Sequence, residues 1–291
     1  MTRQQLTEQI FSKKTYLCIG LDTDLSKIPA YLQSHPDSVF EFNKAIIDAT
    51  KDLCVSYKIN TAFYEAMGVK GWEAMQRTVD YIPSTHFKIA DGKRGDIGNT
   101  SSQYAKAFFE TLPFDAITVA PYMGADSVKP FLEYKNKWTI VLGLTSNKGA
   151  EDFEMQKIIH KTTAAIESAR LALDVASHQT ELLYEKVLRN AAEWGTLDNL
   201  MFVIGTTKAD AFTNVRRLVP DHFLLAPGVG TQGGSLKDIS EKGMTKDCGL
   251  LVNISRAIIY AAEDESFAEE AAAIARQYQY EMQQYLQDYI V

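Results

Sequence analysis

Cysteine is scarce in this chain: Cys18, Cys54 and Cys248 are the only three among 291 residues. The set is odd and has no paired spacing, which excludes a disulfide frame or a cysteine zinc site and fits a reducing compartment. Long apolar runs are missing too. No window approaches 18 consecutive apolar residues, and the opening MTRQQLTEQIFSKKTYLCIG is polar and mixed in charge, so neither a membrane span nor a signal peptide is expected. Positive charge is in deficit, with 30 Lys and Arg against 37 Asp and Glu and a net charge of −7. That argues against a nucleic-acid binder, which presents a basic face. A few local cations could still hold an anionic small molecule. No GxGxxG follows the first apolar run, and no His, Cys or carboxylate set has metal-ligand spacing, so neither a metal nor any other cofactor is expected. The composition, 46% hydrophobic and 23% charged, is that of an ordinary globular chain and excludes global disorder. The default reading is a soluble cytoplasmic protein.

Eight short apolar runs recur: TYLCIGLD (15–22), CVSYKIN (54–60), HFKIADGK (86–93), DAITVAPY (115–122), WTIVLGLT (138–145), LMFVIGTT (200–207), HFLLAPGV (222–229) and GLLVNISR (249–256). Each is followed by a polar turn and then a helical pattern. Continuous Val- and Ile-rich runs of this length are what strands buried on both faces look like. Eight of them alternating with helices favour a closed parallel (β/α)8 barrel, an α/β fold of the TIM type, over a doubly wound open sheet. About 55 residues separate the fifth run from the sixth, where one helix would suffice. The stretch 151–199 therefore reads as a helical insertion of one or two added helices, carried by EMQKIIHKTTAAIESARLALDVASHQ and ELLYEKVLRNAAEWG. Nothing there resembles a linker, so the expectation is a single domain over 1–291. The stretch ending in EMQQYLQDYI reads as an amphipathic final helix with too few cations for a membrane surface.

Polar residues gather at the carboxyl ends of the runs, where barrels place their active sites. They are Asp22, Lys58, Asn60, Asp91, Lys93, Asp96, Thr145, Ser146, Thr206, Gln232 and Arg256. Asp91 and Lys93 are two apart on a strand, so both point to one face, into the barrel mouth. Asp96 follows in the loop. With Lys58 this makes two ammonium and two carboxylate groups that could alternate in space, although spacing alone fits a solvated loop about as well. Separately, APGVGTQGG ends the seventh run with glycines that leave backbone N–H groups open to an anion. Arg256 ends the eighth run, just before a helix. Barrels commonly bind phosphate in the loops after these two strands, and an Arg adds bidentate charge pairing there.

These blocks carry a family resemblance. DGKRGDIGNT resembles the D-x-K-x-x-D-I motif of orotidine 5′-phosphate decarboxylase, and TVAPYMGADSVKPF, LTSNKGAEDF, APGVGTQGG and VNISRAIIYA are similar to later blocks of that family, in the same order. The likeness runs from about Gly20 to Tyr260 and is nearest the longer bacterial type. Ala120 stands where members often have Asn, and the phosphate-loop length varies between types. The resemblance implies cofactor-independent loss of CO2 from orotidine 5′-monophosphate (OMP) to give UMP, the last step of de novo pyrimidine nucleotide biosynthesis. It further implies that Lys93 donates the proton to C6, that Asp91 lies beside the departing carboxylate, and that Lys58 holds the alternating charges together. Asp96 would reach the neighbouring subunit's site in an obligate homodimer. Asp22 and Thr100 would contact the ribose hydroxyls, Ser146 the pyrimidine edge, and Gln232 and Arg256 the phosphate, with Asn60 counted in the same substrate-binding set. Two rivals stay open here: a Mg²⁺-dependent sugar-phosphate decarboxylase such as 3-keto-gulonate-phosphate decarboxylase, and a noncatalytic phosphate-binding barrel.

Overall fold

The computed structural model describes residues 1–159, 180–230 and 233–287, leaving aside the side chains of residues 208 and 209. All eight apolar runs are strands. They are β1 (Leu17–Gly20), β2 (Ser56–Asn60), β3 (Phe87–Arg94), β4 (Ala116–Val119), β5 (Trp138–Leu144), β8 (Leu200–Ile204), β9 (Phe223–Pro227) and β10 (Leu250–Ile254). They close into a parallel barrel in the order β1-β10-β9-β8-β5-β4-β3-β2. The seam joins the first strand to the last, with Cys18 opposite Asn253 on one side and Ser56 on the other. The strands read as unbroken apolar runs because side chains on both faces are covered, inward by the barrel core and outward by helices.

The long helices bury one stripe each. Ser38–Thr50 buries Val39, Phe42, Ile46 and Ile47, a spacing of three and four that places them on one face. The final helix spans Phe267–Gln287 and packs on Ser38–Thr50 and on β1. Side-chain oxygens satisfy helix starts where the chain turns sharply: Thr2 and Gln5 form a capping box, and Asn60 and Ser235 each accept an amide proton of the first turn.

Aromatic side chains plug the amino end of the barrel. Phe87, Trp138 and Phe223 begin β3, β5 and β9, and Trp138 meets both others edge-on at 6.0 and 6.2 Å. The Arg3 guanidinium covers the ring of Phe223 at 4.9 Å. With that end filled, only the carboxyl end of the barrel is left open for a ligand.

The described part of the stretch between β5 and β8 carries a short sheet beside the helix expected of it. Lys157–Ile159 is a strand, β6, paired antiparallel with β7 (Thr180–Leu182) in a two-stranded sheet. Three residues are too few to show any period, and their pairing partner lies more than twenty positions away, so nothing local marks them as strand. Leu183–Ala192, within ELLYEKVLRNAAEWG, is helical, and it is the ordinary barrel helix packed on β5. The expected helix over the remainder of EMQKIIHKTTAAIESARLALDVASHQ falls on 160–179, outside the described residues.

Candidate active site

At the carboxyl ends of the strands a cavity of about 300 Å³ is lined by Asp22, Lys58, Asn60, Asp91, Lys93, Thr118, Ser146 and Arg256, among others. Its base is a chain of alternating charges. The Lys58 ammonium, only 3% exposed, lies 3.2 Å from Asp22 Oδ1 and 3.0 Å from Asp91 Oδ2. Lys93 Nζ lies 2.7 Å from the other oxygen, Asp91 Oδ1. Asp22 leaves β1, Lys58 is in β2, and Asp91 and Lys93 are in β3, so three adjacent strands bring four charges into one row.

Electrostatics fix the charge of the two inner members of this row, Lys58 and Asp91. Burial disfavours the charged form of Lys58, but Asp22 and Asp91 together outweigh it and hold the ammonium's pKa above its ordinary value. Burial likewise pushes Asp91 up, and Lys58 and Lys93, with their hydrogen bonds, overcome it and hold the carboxyl well below the usual carboxylate range. A buried carboxylate between two ammonium groups stays ionised at any working pH.

The shared direction of Asp91 and Lys93 has a different origin from simple strand alternation. The β3–β4 register pairs Ala90 with Ile117 and then Arg94 with Val119, so the two ladders slip against each other between these points. Lys93 sits inside this irregularity at φ +45°, a left-handed conformation that costs energy for a residue with a side chain. Its amide donates to Thr118 Oγ1 at 2.9 Å, and that hydroxyl donates to Asp91 Oδ1 at 3.0 Å. Beyond it, the Arg94 guanidinium pairs with Glu65 and lies over the rings of Tyr104 and Phe108.

The opposite end of the cavity is lined by Gly228, Val229, Ser255 and Arg256. Gly228 and Gly230 take φ of +110° and +77°, which only glycine adopts freely and which lets the loop after β9 turn across the barrel mouth. Arg256 begins the short helix Arg256–Ile259, and no ion-pair partner is found for it among the described residues. Between the two ends stand Ser146 and Asn147, on the loop after β5. This loop rests directly on Gly205, where an added Cβ would come within 2.6 Å of the Ser146 nitrogen. Glu154 holds the same loop by accepting the Thr145 amide at 2.6 Å and its hydroxyl at 2.9 Å.

Of the expected residues, Asp22, Lys58, Asn60, Asp91, Lys93, Thr145, Ser146 and Arg256 line the cavity together. Asn60 also caps the helix Thr61–Glu65. Thr206 does not line it: its hydroxyl is buried and donates to the Pro227 carbonyl at 2.9 Å. Asp96 and Thr100 stand outside the cavity of their own chain, on the loop and helix after β3. Gln232 lies outside the described residues. Sequence reasoning missed Thr118, Asn253 and the apolar wall of Leu142, Val203 and Leu225. Inward positions on strands were the available signal, but in strands buried on both faces they carry no distinctive pattern.

A model of the orotidine 5′-phosphate decarboxylase / HUMPS family matches residues 15–271. The curated orotidine 5′-phosphate decarboxylase of Christiangramia forsetii is 54% identical over 285 residues, covering 97% of either chain. The structure of Leishmania donovani OMP decarboxylase superposes with a TM-score of 0.74 and 31% identity, over 96% of this chain and 99% of that one. Leishmania donovani UMP synthase gives 0.75 and 33% over 95% of this chain, which spans 56% of that longer protein. A closed barrel with four alternating charges at the carboxyl ends of β1, β2 and β3, matched over nearly its whole length, places the chain in a known lineage: it belongs to the orotidine 5′-phosphate decarboxylase / HUMPS family.

Proposed function

We propose that this chain removes CO2 from OMP to give UMP in pyrimidine biosynthesis, with Lys93 as the reacting cation and no cofactor taking up the electron pair. The observation that carries this reading is the row Asp22–Lys58–Asp91–Lys93, with contacts of 3.2, 3.0 and 2.7 Å at the base of a cavity whose far end carries Arg256. Breaking the bond from C6 to the carboxyl group leaves an electron pair in an sp² orbital that the ring's π system cannot delocalise. The protein must then stabilise that charge by preorganised electrostatics. The Lys93 ammonium opposes the developing negative charge and then transfers a proton from Nζ to C6. Its half-exposed side chain can regain a proton from solvent. Asp91, kept ionised by Lys58 and Lys93, confronts the substrate carboxylate and favours its departure. Asp22 and Asn60 face the ribose, Ser146 the pyrimidine edge, and Arg256 the phosphate, with Gln232 assigned beside it. Phosphate binding far from C6 supplies energy that orders the site for the transition state.

In the same reading the working unit is a homodimer, and Asp96 and Thr100 serve the partner subunit's cavity. Two observations support this. Asp96 and Thr100 do not line their own cavity. The adjoining loops expose Ile97, Met123 and Tyr122, the last by 88%. Apolar side chains gathered in this way are suited to being covered by another protein surface. The three cysteines are free and buried, consistent with work in the cytoplasm, and no helix among the described residues is long and apolar enough to cross a membrane.

The test is a spectrophotometric assay of OMP loss with protein dialysed against EDTA. Unchanged turnover is expected. Loss of activity that Mg²⁺ restores would move the assignment to sugar-phosphate chemistry, and absence of turnover at any metal content would overturn it.

A further inference from the structure

We infer that Thr118, on β4, is the positioning residue of this site: its hydroxyl aligns the Asp91 carboxylate with the strained backbone of Lys93. The inference rests on the proposed function and adds a residue on which the charged motif of β3 depends. Thr118 is 1% exposed, and its single hydroxyl makes both contacts, accepting the Lys93 amide at 2.9 Å and donating to Asp91 Oδ1 at 3.0 Å. Because the β3–β4 register slips between Ala90 and Arg94, the Lys93 amide is paired with a side chain where a regular ladder would offer a carbonyl. A residue at φ +45° persists only when its surroundings over-determine it. On the far side, the Arg94 carbonyl accepts the Ala120 amide at 2.8 Å and its guanidinium is held by Glu65. On the near side the holding contact is the Thr118 hydroxyl.

The same oxygen also limits where the carboxylate can turn. Asp91 Oδ1 receives both Lys93 Nζ and the Thr118 hydroxyl, while Oδ2 receives Lys58. Three donors from three strands fix both the position and the plane of the carboxylate. Long lysine side chains can follow a rotating carboxylate, but a threonine hydroxyl with a single rotatable bond to a buried strand cannot. Thr118 is thus the rigid member of the set. Thr118 contacts Asp91 and Lys93 and not Arg256, at the other end of the cavity, so loss of the Thr118 hydroxyl should spare the binding of a nucleotide that has no carboxylate.

Thr118→Val keeps the shape and the β-branched fit to the strand while removing both contacts, and Thr118→Ser restores them without the methyl group. Both variants and the wild-type protein are assayed for kcat and KM with OMP and for UMP affinity by calorimetry, with near-UV circular dichroism as the check of fold. For Thr118→Val, kcat should fall about 10- to 100-fold, equivalent to about 1.4–2.7 kcal/mol. KM and the Kd for UMP should stay within about threefold, and Thr118→Ser should recover kcat to within about threefold of wild type. A folded Thr118→Val protein with unchanged kcat overturns the inference, as does equal damage in the valine and serine variants, which would show that restoring the hydroxyl does not restore turnover. If Thr118→Val does not fold, Thr118→Ala against Thr118→Ser decides by the same two criteria. Wild-type protein that leaves OMP untouched would overturn the proposed function itself, whereas active wild type with an equally active valine variant overturns the Thr118 inference alone.

Discussion

Replacing Lys58 by methionine tests whether the charge row contributes stability as well as chemistry. Methionine fills nearly the same volume, so little packing is lost, and the change isolates the ammonium. Its removal leaves Asp22 and Asp91 facing each other without the cation that separates them. Breaking a buried ion pair from one side costs about 3–5 kcal/mol. The lower end applies here, because Asp91 keeps Lys93 and Thr118, and Asp22 retains 20% exposure and can recruit water. For a chain of this size each kcal/mol moves Tm by about 2–3 °C, so Lys58→Met should melt about 6–9 °C below wild type at pH 7. The double variant Lys58→Met/Asp91→Asn removes the stranded carboxylate and should be about 1–2 kcal/mol more stable than Lys58→Met alone, a nonadditive coupling of the size expected for residues in contact. Thermal and urea melts of the four proteins in the cycle measure it. A Lys58→Met protein melting within 2 °C of wild type, on about the scale of a neutral substitution, would refute the argument, and so would a double variant less stable than the single one.

The remaining predictions follow the geometry of the two ends. Arg256→Ala should weaken UMP binding by about one to two decades, the worth of a charge-assisted contact of about 1.5–3 kcal/mol, with much less effect on uridine; equal losses for both ligands in calorimetry would show another role. Lys93→Ala and Asp96→Ala should each be nearly inactive, yet mixed dimers formed after dissociation should regain about a quarter of wild-type activity, because half the dimers are mixed and each holds one intact centre by symmetry; inactive mixed dimers would place Asp96 in its own chain's site. Stability should fall between about pH 6.5 and 4. Burial, with Lys13 beside His86 and with Arg3 and Arg216 near His222, lowers both imidazoles to about 4, so the unfolded chain binds protons that the native one excludes. At pH 5 this amounts to about 2 kcal/mol for each histidine, and urea midpoints that do not move between pH 7 and 5 would contradict it.

The eight barrel strands were legible because parallel strands covered on both faces must be apolar throughout, and that pattern survives without any knowledge of partners. The charges were legible for a related reason: Asp22, Lys58, Asp91 and Lys93 interrupt or end apolar runs where a core residue would otherwise stand. Arg256 and the glycines before it stood out by residue type, and Arg256 and Gly228 line the opposite end of the cavity. What stayed hidden depends on pairing. Threonine is an ordinary strand residue, so Thr118 looked like propensity alone. The slip that gives Lys93 its backbone exists only between β3 and β4, and the lysine itself gives no sign of φ +45°. Lys157–Ile159 became a strand through contact with Thr180–Leu182, a tertiary event that no local window contains.

The order of the barrel divides the work of the site along the chain. Asp22, Lys58, Asp91, Lys93 and Thr118 all precede β5, whereas Ser146, Gly228, Val229 and Arg256 all come after it begins. In the proposed function, one run of the chain supplies the groups nearest the reacting carbon, and the other supplies the handle by which a nucleotide is gripped. Substitutions in the two runs should therefore accumulate different symptoms, with early lesions slowing turnover and late ones loosening grip. A chain evolving toward another phosphorylated ligand could keep its later half and alter only the charged ends of β1, β2 and β3. The β1–β10 seam is where the two halves meet, and through it a change in grip at Arg256 lies one strand from Asp22 and the first charge of the row.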